Sequence, residues 1–258
     1  MWSNDDKVND LVEWTTQQAA FVDSRIWFPK DETGTRIEVR ADASSAIRPG
    51  HPFIEIPFSM TLSFLNAANA SASDTFRSHS PNFPAEFVHA LPPLCVTAFL
   101  MQQDSLGSSS FWYQYLRTAP RYGNGHHPEN LTVADDITMA KAKGTSMETE
   151  FNELRRQREE EWTTGISMLR SFGWDVTFDE QYLWARTVLE CRSFYSSTLA
   201  KAINDIDVDY QYLVDPTGSL DNMDLVLLPV LEFLNCDNRA IATYTPRKSS
   251  FTLTLDGF

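Results

Sequence analysis

The position of the strand-forming segments restricts the fold more than any other feature. Phe53, Ile54, Glu55 and Ile56 alternate and stop at Pro57, and SFTLTL (250–255), preceded by IATYT (241–245), is strand-like again near the far end of the chain. Period-two alternation marks a half-buried strand, whose apolar face has to be covered by another element. Between these ends the apolar residues recur at three and four residues. Phe87, Ala90, Leu91, Leu94, Cys95, Ala98 and Phe99 predict a helix over 86–103, and Phe151, Leu154, Ile166, Leu169 and Phe172 predict one over 147–172 with RRQREEE on its solvent side. Leu183, Trp184, Val188 and Leu189 predict a third from Glu180 to about Ile203. Val8, Leu11, Val12 and Thr15 place another from Lys7 to Ala20, N-capped by Asn4 or Asp5. The segment SSSFWYQYLRTAP opens on a serine cap and stops at Pro120, while 66–83, 121–136 and DPTGSLDNMD (215–224) read as loops. The short runs RIWF and RIEV, broken by Pro29, Gly34 and Arg48-Pro49-Gly50, belong with the first strands. Strand-forming halves around a helical middle give an α+β domain rather than alternating βαβ units.

Composition narrows the function. Of 258 residues 42% are hydrophobic and 22% charged, a globular balance, with 35 acidic against 21 basic side chains and a formal charge of −14. Phosphate backbones select basic surfaces, so direct nucleic-acid binding is not expected. The longest apolar run, Leu225 to Leu234, carries Pro229 and Glu232 and falls short of the roughly 20 residues of a membrane helix, so no membrane partner is expected. The polar start MWSNDDKVND is unlike a signal peptide. The cysteines Cys95, Cys191 and Cys236 lie far apart without C-x-x-C spacing, which reads as reduced thiols in a cytoplasmic or nuclear protein. The five histidines, His126-His127 among them, lack the convergent spacing of a zinc site, and Asp215, Asp221 and Asp224 lack that of a calcium loop, so no metal is expected. Arg155, Arg156 and Arg158 stand beside Glu159, Glu160 and Glu161, the pattern of a charged helix face. The glycine-rich phosphate loops, H-E-x-x-H and G-x-S-x-G are all missing from the sequence.

Five segments, in order, carry a resemblance. IRPGHPFIEIPFSMTLS (47–63) is similar to I-x-x-G-x-x-[LI]-x-I-P with a Leu-Ser ending, and SSSFWYQYLRTAP (108–120) is similar to S-x-W-x-x-Y-L-x-x-L-P. KGTSMETEFNELRRQ (143–157) is similar to the L-x-G-T helix, YLWARTVLECRSF (182–194) to W-A-x-x-x-V-x-S-R-x-F, and LVLLPVLEFLNCDN (225–238) to L-x-P-L-x-D-x-L-N-H. Over roughly 8 to 258 the chain resembles the SET-domain protein methyltransferases, in the subgroup that includes the Rubisco large-subunit lysine methyltransferase. The resemblance implies SET β-sheets split by a helical insertion: an N-terminal helix at 1–21, the first SET half at 22–110, the insertion at 111–210 and an incomplete C-terminal SET part at 211–258. It implies S-adenosylmethionine as cofactor and a protein bearing a target lysine as partner.

Carried over position by position, the resemblance makes Arg192 the clamp for the donor's carboxylate, a task suited to a guanidinium fork. It places Asn235 on the donor's amino-acid end, Glu232 where the motif has aspartate, and Cys236 where it has histidine; these four are the expected cofactor-binding residues. Counting back from Pro57, the family's G-x-G falls on Glu38, Val39 and Arg40, with Ala43 keeping the alanine that follows, or on Gly34 if the strand is shifted. The sequence reaches Phe258 before the family's I-S-Y-G strand, and no catalytic residue is assigned. Two functions stay open: a protein-lysine N-methyltransferase, and a SET-like protein without catalysis that acts through protein contacts.

Overall fold

The computed structural model describes residues 1–32, 34–40, 42, 45–67, 83–119, 121, 140–174, 179–195, 225–234, 241–247 and 250–257. Chain order runs from helix α1 (Asp6–Gln17) through the two-residue strands β1 (Phe21–Val22), β2 (Ile26–Trp27), β3 (Lys30–Asp31), β4 (Gly34–Thr35) and β5 (Glu38–Val39) into β6 (Pro52–Pro57). Helices follow: α2 (Phe64–Ala67), α3 (Ala85–Ala90), α4 (Pro92–Ser105), α5 (Tyr113–Leu116), α6 (Ser146–Ser171) and α7 (Asp179–Arg192). Strands return as β7 (Phe194–Tyr195), β8 (Leu225–Val226), β9 (Ile241–Pro246) and β10 (Ser250–Gly257). The protein is thus a mixture of helix and sheet, and every described strand pairing is antiparallel.

The two ends of the chain meet in one sheet of order β1-β6-β10-β9. Phe251 lies opposite Ile56 and Leu253 opposite Ile54, and the Ser250 hydroxyl donates to Glu55 Oε1 at 2.5 Å. Alternation predicts one buried face. Instead Phe251, Thr252 and Leu253 are buried in succession, as are Phe53 and Ile54. Successive side chains point to opposite faces, so the centre of the sheet is covered on both.

Helix α1 forms as expected, with Asp5 as its cap: the carboxylate accepts from the backbone N–H of Lys7 and Val8. The helix expected over 86–103 is two. Leu91 leaves the helical region (φ −139°, ψ 59°) because it precedes Pro92, and proline disfavours the α conformation of the residue before it. Helix α4 is then buried on every side from Leu94 to Met101, among α2, α3, α5, α6 and α7. The helix expected to reach Ile203 ends at Arg192, where Phe194 and Tyr195 pair with Val226 and Leu225. The Phe194 ring lies 5.5 Å from Tyr244 and 6.2 Å from Phe251, so burial against the sheet outweighs continuation of the helix. Residues 196–203 and most of the three predicted loops lie outside the described residues.

The charged face of α6 is only partly solvated. Arg156 pairs with Glu153 and Glu160 in the open, but Arg158 turns toward α7, bonding Glu190 at 2.6 Å and Glu161 at 2.8 Å. Among the described residues no helix is long and apolar enough to cross a membrane.

Gly165 sets how closely α6 approaches α4. A Cβ there would stand 1.8 Å from Leu94 Cδ2, and Leu94 is buried and hemmed in. Gly165→Ala is expected to lower stability by up to about 2 kcal/mol, an overpacking cost of about 1–3 kcal/mol reduced by the roughly 1 kcal/mol helix propensity of alanine over glycine. In a Leu94→Ala background the same change should become stabilising. Paired urea titrations check this, and a rise in stability from Gly165→Ala alone would show that the helices have room to spare.

Candidate functional site

Arg192 and Glu232 are far apart in sequence and meet because of the strands beside them. The pairing of β7 with β8 brings the residues after Arg192 alongside those before Glu232. Leu227 then bridges Leu62, its N–H donating at 3.0 Å and its carbonyl accepting at 3.1 Å, which fixes the segment to the turn after β6. Past Pro229 the chain reverses at Val230, with φ 71° and ψ −41°. A β-branched residue in that region carries strain of about 1–3 kcal/mol. Val230 and its neighbours Leu228 and Leu231 are buried, so packing holds the conformation. The 3-10 turn Leu231–Phe233 follows, and it points the Glu232 side chain inward until none of it is exposed.

Both carboxylate oxygens of Glu232 are used. Oε1 accepts from Arg192 Nη1 at 2.6 Å, and Oε2 accepts from the Tyr115 hydroxyl. Tyr115 is wholly buried on α5, which is anchored by the Trp112 indole N–H donating to the Met60 carbonyl at 2.8 Å. Burial, and then the adjacent Glu232 charge, push the Tyr115 hydroxyl well above its ordinary range, so it stays a proton donor. For Arg192 burial works against the charge, but Glu232 and Tyr115 together outweigh it and hold the guanidinium above its ordinary value. The three side chains form a unit of zero net charge, assembled from α5, α7 and the 3-10 turn.

Among the described residues only Nη1 of Arg192 is engaged, and 27% of the side chain is exposed. The Nε–Nη2 edge is a planar pair of donors, a shape that suits a carboxylate or phosphate.

The other expected positions divide. Asn235, Cys236 and Ala43 lie outside the described residues. Glu38 and Val39 are exposed on β5, while Arg40 folds over the Trp27 ring at 5.4 Å and donates to the Ile26 and Met1 carbonyls. Gly34, in the β3–β4 hairpin, has φ 121°, a conformation open to glycine. Trp184 is core, with Arg121 over its ring at 4.5 Å. Cys95 is buried and Cys191 exposed, and among the described residues no group of three His, Cys, Asp or Glu could hold a metal ion. Sequence reasoning missed Tyr115. The signal was its place in SSSFWYQYL, where the matched pattern has its tyrosine. A scan against protein-family models finds no match for this chain, and a search of the curated proteins finds none either.

Proposed function

We propose that this chain is a SET-type, S-adenosylmethionine-dependent protein-lysine N-methyltransferase. The observation that carries the reading is the meeting of Arg192 with Glu232 at 2.6 Å through Nη1, the Nε–Nη2 edge having no partner among the described residues. Those two residues come from the two segments that the resemblance assigns to the donor. Pairing of β6 with β10 adds support, since a split SET fold has to rejoin strands from its two halves.

The residues present fit the donor. S-adenosylmethionine would supply an activated methyl group for direct displacement by a lysine amine. Arg192 would bind the donor's carboxylate through its Nε–Nη2 edge, a charge-assisted contact. Glu232, with its second oxygen satisfied by Tyr115, keeps the guanidinium from swinging toward solvent. Alignment of the two reactants is what such a site contributes to the rate. A cytoplasmic or nuclear setting accords with three cysteines that lie far apart in the sequence without C-x-x-C spacing.

One observation favours the second reading, a SET-like protein without catalysis acting through protein contacts. Glu38 and Val39 stand exposed where the family's glycines let the backbone approach the donor.

Calorimetric titration with S-adenosylmethionine separates the two. Saturable binding is expected, weakened about tenfold or more in Arg192→Leu/Glu232→Gln, as for loss of a hydrogen bond to a charged group. The double variant is preferred to Arg192→Ala because it leaves no buried charge unpaired. Absence of heat and of thermal stabilisation at millimolar donor would reject the methyltransferase reading and favour the contact protein. Labelling of proteins in a matching extract with tritiated donor then tests transfer.

A further inference from the structure

The Tyr115–Glu232–Arg192 unit has an asymmetry that a simple ion pair lacks. A carboxylate beside a guanidinium ordinarily pairs two oxygens with two nitrogens. Here the second oxygen, Oε2, is held by the Tyr115 hydroxyl, and the contact with Arg192 is a single bond from Nη1 to Oε1. No part of the Glu232 side chain reaches solvent, so water does not compete for Oε2. Tyr115 is itself fixed: its ring is buried, and Trp112, one turn earlier, is tied to the Met60 carbonyl.

We propose that Tyr115 is a positioning residue: by occupying Glu232 Oε2 it fixes the plane of the carboxylate and, through the Nη1–Oε1 bond, the direction in which Arg192 presents its Nε–Nη2 edge to an incoming carboxylate. Without the hydroxyl, Glu232 is free to turn about its terminal bond toward a two-bond pair with Nη1 and Nη2, and the guanidinium plane turns with it. The Nε–Nη2 edge then keeps both its donors but is no longer held in one direction for an anion. This inference rests on the reading of Arg192 as the clamp for the donor's carboxylate, but the pairing geometry exists independently of any donor.

Tyr115→Phe removes one oxygen and keeps the ring, so the core stays filled. The test uses the full chain, two ligands and one spectrum. S-adenosylmethionine carries the carboxylate; 5′-methylthioadenosine shares the nucleoside and sulfur but lacks the amino-acid end. Tyr115→Phe should weaken binding of S-adenosylmethionine about tenfold, as for a lost hydrogen bond to a charged group, and leave 5′-methylthioadenosine unchanged. The Arg192 Nε–H resonance in a 15N correlation spectrum, assigned by its disappearance in Arg192→Lys, should shift in the free variant.

Equal weakening of both ligands would reduce Tyr115 to a structural role and overturn the proposal. Unchanged S-adenosylmethionine binding with an unmoved Arg192 resonance would overturn it too, while leaving the donor reading intact. If the native chain binds neither ligand, the donor reading fails and the resonance alone decides: a shift on Tyr115→Phe upholds the positioning role, and no shift overturns it.

Discussion

Arg192→Ala is expected to cost about 3–5 kcal/mol of folding stability, out of all proportion to a side chain that is still partly in water. The reason lies with the partner. Glu232 has no exposed side-chain surface, and Arg192 is its only cationic contact among the described residues. Removing the guanidinium leaves a buried carboxylate with a single neutral hydroxyl as donor. Because Arg192 is itself 27% exposed, water can enter the vacated space, and the lower end of the range is the better expectation. For a chain of this size each kcal/mol moves the midpoint by about 2–4 °C, so a fall of roughly 6–12 °C should accompany the lost free energy. Urea titration at neutral pH measures it. A change below about 1 kcal/mol would mean that Glu232 is not enclosed as described.

The double variant Arg192→Leu/Glu232→Gln should recover most of that loss, ending within about 1–2 kcal/mol of the native chain. A buried ion pair gains little over an apolar replacement, because the attraction between the charges is offset by the cost of taking both out of water. The glutamine carbonyl still accepts from Tyr115, so the hydroxyl keeps its partner. The ion pair is therefore weak evidence for stability and better evidence for selection at a site. The strained backbone of Val230, which turns Glu232 inward, points the same way.

The strands at the chain ends were legible because their alternation is local, and so was the Asp5 cap of α1. Covering of the central sheet on both faces was not, since it depends on which helices lie against it. The break at Leu91 was written in Pro92 and Pro93, but the apolar spacing runs through the prolines and hid it. The end of α7 carries no glycine or proline; it is set by pairing with β8 and by the rings of Tyr244 and Phe251, which are distant in sequence. At the site, the resemblance to the SET family singled out Arg192 and Glu232. Their bond to each other, and the Tyr115 hydroxyl that shares the carboxylate, arise only from three elements folding together. Spacing counted Arg158 into a solvated face, and it is the pairing with Glu190 that turns it inward.

Trp112→Ala should destabilise the protein by about 3–5 kcal/mol through the cavity alone. The indole is fully buried, edge-on to Phe99 at 5.3 Å and to Phe111 at 5.0 Å, and its N–H is the donor to the Met60 carbonyl. Met60 is buried as well, so the carbonyl is left without a partner and adds about 1–3 kcal/mol. Trp112→Phe separates the two causes: most of the volume is retained, and the remaining loss reports the unmade bond. Trp112 begins the turn that leads into α5, so its removal should also release Tyr115 from Glu232 and shift the Arg192 Nε–H resonance. In Trp112→Phe that resonance should stay near its native position, because the ring still supports α5. Urea titrations of the two variants measure the first effect and 15N spectra the second. A loss below about 2 kcal/mol in Trp112→Ala would show an indole that is not enclosed, and an unmoved Arg192 resonance would separate the anchoring of α5 from the geometry of the site.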